Sequence, residues 1–134
     1  MTQVQPVKIL NDLLSAELSS PIRLLARGTL HVGRNLADKA ALLRAIHAES
    51  DARIALLSDL IEAEGDEPAP RPDRAALQHL AYLDTAFIQP RLAASLQDLA
   101  QRYRAAAALL GPRGADLAPC IEKLLAQARD LSNP

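Results

Sequence analysis

Between Ala48 and Ile61 the chain places polar residues where a helix would bury apolar ones, and that conflict constrains the fold more than any other feature. At about 100° per residue, with Ile46 as zero, Leu42, Leu43, Leu57, Leu60 and Ile61 all lie within about 60° of one line. Ser50 and Arg53 fall inside the same arc. A serine is tolerable on a buried stripe, but a buried guanidinium without a partner costs several kcal/mol. Arg53 therefore requires an acidic residue from another segment, buried opposite it.

The composition says what surrounds such a pair. Hydrophobic residues make up 49% of the chain but aromatics only 2%, so the interior is built from leucine, alanine and isoleucine, of which the abundant leucine and alanine favour helix over strand. This predicts an all-α chain, and 134 residues suit one domain spanning 1–134. The net charge of -1 and the scatter of basic residues leave no footprint for nucleic acid or an anionic membrane. No uncharged apolar run reaches the roughly 18 residues of a membrane span, and no charged-then-apolar signal segment opens the chain. The expectation is a cytoplasmic protein. A single cysteine, Cys120, excludes an internal disulfide and a thiolate cluster, and it reads as a small buried hydrophobe.

Along the chain, Leu10, Leu14, Leu24 and Leu25 recur at helical spacing from about Val7 to Val32. Glu17 follows Leu14 by three residues, Leu13 by four and Leu10 by seven, which puts it on the midline of that stripe. Pro21 predicts a kink near Ser19 to Pro21, the alternative being two shorter helices. Gly33, within His31 to Asn35, suits a helix stop, and Asn35 or Asp38 the next cap. A second helix, from about Leu36 to Glu64, ends at Gly65. Pro68, Pro70 and Pro72 then exclude helix. A short helix from Arg74 to Ile88 is expected inside a crossover. The third main helix is expected to start with Pro90 in its first turn and to run to Leu110, with Ile88, Leu92, Leu96, Leu99, Tyr103, Ala106 and Leu110 on one face. Gly111 to Gly114 reads as a turn. Asp116 then caps a fourth helix, with Pro119 in its first turn and Leu117, Ile121, Leu124 and Leu131 inward. Short, long and short connections predict a four-helix bundle with a long crossover between the second and third helices, the ferritin-like arrangement; an up-down bundle with a broken third helix is the alternative.

Leu57-Ser-Asp-Leu-Ile-Glu-Ala-Glu-Gly with Pro68 resembles the end of the second helix of small bacterial ferritin-like and rubrerythrin-like proteins, where Glu-x-x-His precedes Leu-x-x-Leu-Ile and a glycine and proline turn. Leu10-Asn-Asp-Leu-Leu-Ser-Ala-Glu-Leu-Ser resembles their first helix, which supplies a metal-binding glutamate, here Glu17. Tyr82-Leu-Asp and Gln89-Pro-Arg-Leu resemble the crossover and the entry to the third helix. The resemblance implies a carboxylate-bridged di-iron site, but the residues depart from it. With Leu57, Leu60 and Ile61 fixing the register, the glutamate position falls on Ser50 and the histidine position on Arg53. A one-residue slip keeps Glu49 but puts Ala52 at the histidine and turns both away from the core. The inner stripe of the third helix has no acidic residue between Leu92 and Tyr103, and that of the fourth has neither carboxylate nor imidazole around Leu124 to Ala128.

Of the usual ligands only Glu17 remains, and one carboxylate does not hold a di-iron pair. It can instead answer Arg53, with Ser50 and Tyr103 satisfying the remaining hydrogen-bonding capacity. The expectation is thus a vestigial site made of Glu17, Ser50, Arg53 and Tyr103, with no catalytic residue, bound metal or cofactor. The alternative for the pair is that both side chains snorkel to solvent. The functional expectation is a non-catalytic structural or interaction protein with an unidentified protein partner, forming a homodimer through the apolar residues left over at Leu18, Ala55 and Leu56. Its alternative is an iron- or manganese-dependent oxidoreductase or iron-handling protein using Glu17 with Glu49, His47 or Asp84 in an unusual site, which a dimer interface could complete. His31, His47 and His79 lie in separate segments and pair with no second ligand at helical spacing. The acidic run from Asp59 to Glu67 reads as solvated charge rather than a calcium site.

Overall fold

The structure, a computed structural model, describes residues 5–23, 40–72 and 85–132, with the side chains of residues 40 and 85–89 left aside. Among these residues the chain is all-α, with no strand. Its helices are α1 (Pro6–Leu18), α2 (Ala40–Ala63), α3 (Thr85–Leu110) and α4 (Ala118–Ser132), with a 3-10 segment, Gly111–Leu117, joining the last two. The expected turn from His31 to Asn35, the cap at Asp38, the stretch 74–84 of the expected short helix, and Leu24, Leu25, His79 and Asp84 lie outside the described residues.

Three boundaries differ from expectation. The first helix stops at Leu18 instead of kinking. Ser19 N–H still reaches the Ser15 carbonyl at 3.1 Å, but Pro21 has no N–H to continue the ladder, and helical backbone resumes only at Ile22 and Arg23. The third helix begins at Thr85, so Pro90 lies inside it and not in its first turn. Proline removes one bond, to the carbonyl four residues earlier, and the helix carries that loss near its start. Before the fourth helix the chain winds into 3-10 turns instead of a loop capped by Asp116. Gly114 explains the tight passage, because a Cβ there would lie 2.7 Å from both the Cα and the carbonyl oxygen of Ala107.

The end of α2 is as the glycine predicts. Gly65 adopts φ 86°, its N–H reaches the Glu62 carbonyl at 2.9 Å and Asp66 N–H reaches Ile61 at 3.3 Å, the paired bonds of a Schellman stop. The chain then doubles back along α1. Ala69 N–H donates to Asn11 Oδ1 and Arg71 N–H to Ser15 Oγ, both at 2.8 Å.

The buried residues form one cluster. Leu10, Leu13 and Leu14 of α1, Ile46, Leu57 and Ile61 of α2, Leu92, Leu96 and Leu99 of α3, and Leu117, Leu124 and Leu131 all belong to it. α1 packs mainly on α2 and also on α3, and α4 packs on α3 and also on α2. Individual pairs give directions. Glu64 meets Arg113 at 3.2 Å while Glu49 meets Lys123 at 3.5 Å, so α2 and the chain through α4 run antiparallel. Ile9 and Leu13 share one surface groove with Arg102 and Leu109, and Ser19 shares another with Ser95, so α1 and α3 run antiparallel too. Of the residues expected to be left over for self-association, Leu18 and Leu56 instead pack partly against the core, and only Ala55 is exposed. Leu109, at 58% exposure, is the large apolar side chain most open to solvent among the described residues.

Gly114→Ala should lower stability by about 1–3 kcal/mol through overpacking against Ala107. Thermal or urea unfolding against the parent measures it, and an unchanged midpoint would show that the 3-10 segment has room to move.

Candidate functional site

Four polar side chains converge inside this apolar cluster. Glu17 comes from the last turn of α1, carried inward by the face that buries Leu10, Leu13 and Leu14. Ser50 and Arg53 lie three residues apart on α2, between Ile46 and Leu57. Tyr103 is the buried aromatic of α3 among the described side chains. Glu17, Ser50 and Tyr103 are 0% exposed and Arg53 is 2% exposed, so neither charge reaches solvent by snorkelling.

Glu17 is the centre. Oε1 accepts from Arg53 Nε and, at 2.7 Å, from the Tyr103 hydroxyl. Oε2 accepts from Ser50 Oγ at 3.0 Å and from Arg53 Nη2 at 3.3 Å. The guanidinium therefore grips the carboxylate through a two-pronged edge, the geometry that makes arginine and carboxylate strong partners. An ionised carboxylate offers about four lone-pair positions. Here four donors occupy them, two on each oxygen.

The electrostatics follow from this enclosure. Burial alone would pull the Arg53 pKa down, but the charge and hydrogen bonds of Glu17 outweigh it and hold the guanidinium above its ordinary value. Burial and then the adjacent Glu17 charge push the Tyr103 phenol far up, so it remains a donor at any working pH. Cys120, buried on α4, feels both charges. Burial raises its pKa against the pull of Arg53 and keeps it a protonated thiol. Arg53 Nη1 and Gln127 Oε1 are buried and lack a hydrogen-bond partner among the described residues.

Of the metal-binding alternative, Glu49 and His47 are each paired away from Glu17. Glu49 Oε1 faces Lys123 Nζ at 3.5 Å, and His47 Nδ1 faces Asp51 Oδ2 at 3.5 Å on the outer side of α2. Asp84 lies outside the described residues. Among the described residues no three His, Cys, Asp or Glu side chains cluster as a metal site. Sequence reasoning missed the polar link at the rim, where Arg23 Nη1 donates to Asp51 Oδ1 at 2.9 Å and approaches Ser50 Oγ at 3.5 Å. The expectation that His47 has no partner at helical spacing is corrected by Asp51, which stands at i+4 and was a legible signal for half of this link. The reach of Arg23 depends on the helix break before Pro21. Comparison with family models, curated proteins and solved structures finds no match to this chain.

Removing one partner of a buried ion pair strands the other. Arg53→Met should cost about 3–5 kcal/mol, whereas Glu17→Leu combined with Arg53→Met should cost clearly less than either single change. A double-mutant cycle by urea unfolding reads this directly, and additive losses would show that the two charges are not coupled.

Proposed function

We propose that this chain is a ferritin-like four-helix-bundle protein in which an ion pair has replaced the di-iron centre, and that its role is structural or protein-binding rather than catalytic. The saturation of Glu17 carries the reading. A metal ion would have to displace Arg53 or Tyr103 to reach a lone pair, and the guanidinium charge beside it repels a divalent cation. The remaining residues do not fit a di-iron pair either. Leu92, Leu96, Leu99, Leu124 and Ala128 occupy the inner positions of α3 and α4, where further carboxylate and histidine ligands would have to stand.

The packing directions support the bundle. α1 is antiparallel to α3, and α2 is antiparallel to the chain through α4. The strap after Gly65 returns along α1. The described part of that connection, from Asn11 to Ser15, runs along α1 in the direction that a bundle with one long crossover requires. The register supports the vacated site. Ser50 and Arg53 stand where the resemblance places glutamate and histidine, and both meet the glutamate of the first helix.

Metal content tests this. Protein purified from cells supplied with iron and manganese should hold less than about a tenth of an atom of either per chain, since the ligands for tight binding are missing. The variant combining Ser50→Glu with Arg53→His frees Glu17 and restores two ligand types, and it should gain ferrous or manganous binding that the parent lacks. Near-stoichiometric metal in the parent would overturn the proposal.

A second copy of the chain is the partner that the resemblance implies. Sedimentation should then give about twice the 14.4 kDa chain mass. A monomeric mass across micromolar concentrations would remove self-association from the reading.

A further inference from the structure

The outer face of α2 is unlike that of the helix packed beside it. On α4 the side turned to solvent carries Glu122, Lys123, Arg129 and Asp130, the solvated pattern of a surface helix. On α2 the exposed residues Ala41, Ala45, Ala48, Ala52 and Ala55 follow one another at alternating steps of four and three, directly behind the stripe that buries Ile46, Ser50, Arg53 and Leu57. That alternation keeps the five in one line along about four turns of helix, the kind of seam along which two helices pack side by side. Alanine at such a seam lets two helix axes approach to about 8 Å, and it has no side-chain freedom to lose.

The charges of α2 say what lies against this face. Glu49 is paired with Lys123, Asp51 with Arg23 and His47, and Arg53 with Glu17. Arg44, Asp59 and Glu62 are exposed and have no ion-pair partner among the described residues. These unmatched charges stand at the two ends of the alanine line and are opposite in sign, Arg44 at its start and Asp59 and Glu62 at its end. A second copy laid parallel would set like charges together. In an antiparallel copy, with Ala48 of each chain opposite Ala55 of the other, Arg44 lies four residues before Ala48 and meets Asp59, four residues after Ala55 of the second copy. The twofold axis repeats the pair, so both ends are matched at once. Asp51, level with that axis, is already neutralised by Arg23 Nη1 at 2.9 Å and adds no net repulsion.

We propose that two copies of this chain associate antiparallel through the outer face of α2, from Ala41 to Ala55, with Arg44 of each against Asp59 of the other. The inference rests on the self-association reading and names its surface, in place of the partly covered Leu18 and Leu56.

The test is sedimentation of the full chain and of variants confined to exposed side chains of α2, at about 1 to 100 μM, with helix content followed by circular dichroism. The parent should be a dimer in that range. Ala52→Glu puts a carboxylate in the middle of the seam and should leave a monomer of unchanged helix content. Arg44→Glu and Asp59→Arg should each weaken association about tenfold, since each sets like charges opposite one another at two symmetric places. The two combined should restore it to within about threefold of the parent. A monomeric parent would overturn this inference together with self-association. A dimer indifferent to Ala52→Glu would overturn this face and leave self-association standing, and a double variant no tighter than the single ones would overturn the antiparallel pairing.

Discussion

The contact between Arg53 and Glu17 is the most demanding in the interior, because either charge left alone would be buried without a partner. A buried ion pair gains little over an apolar pair of the same shape, because removing two charges from water offsets most of their attraction. It is nevertheless exacting about geometry, since each lone pair of the carboxylate has to meet a donor, even though Arg53 Nη1 finds no partner among the described residues. In this chain α1 supplies the carboxylate, α2 the guanidinium and a hydroxyl, and α3 the phenol. Each helix therefore has one rotation and one axial position at which the cluster is satisfied.

That requirement matters more here than in most cores. Leucine and alanine dominate the buried set, and Tyr103 is its one aromatic among the described residues. Uniform aliphatic cores pack in several ways of similar energy, and they lose uniqueness before they lose stability. A polar cluster that tolerates only one alignment removes that freedom. Glu17 adds a further constraint. It sits in the final turn of α1, where a negative charge opposes the helix dipole, so the carboxylate is poorly placed for its own helix and depends on Arg53.

The same logic explains what could be read in the sequence. Glu17, Ser50, Arg53 and Tyr103 were legible because each breaks or punctuates an apolar stripe of known period, and a buried charge demands an opposite charge. Most of the core between Leu10 and Leu131 was legible for the same reason, although Leu42, Leu60 and Ile121, expected inward, are only partly buried, and Ile22, Ala93 and Ala100 are core residues that the stripes did not single out. The interruptions were not. Pro21 could kink α1 or end it, and Pro90 could open α3 or sit inside it, because one missing N–H is compatible with both outcomes and only the surrounding packing decides. The passage through Gly114 depends on its approach to Ala107, a contact with no periodic signature. The hydrogen bonds from Ala69 and Arg71 to α1 were beyond reach as well, since a proline-rich stretch announces that it is not helical without saying where it lies.

On the proposed reading, the cluster takes over the mechanical part of a metal centre. Ligands on different helices tie a bundle together by converging on a shared ion, and metal binding contributes directly to folding. Here the convergence is inverted. One carboxylate is the acceptor, and the donors arrive from α2 and α3, so the cross-helix tie survives without an ion and without redox chemistry. An intermediate state with Glu17 retained and no cation opposite it would strand a buried charge. Arg53 is the side chain in this cluster that removes that penalty, because its fixed positive charge needs neither metal nor proton and its planar edge matches the carboxylate. On that reading, arginine rather than an apolar residue at the position the resemblance gives to histidine follows from keeping Glu17.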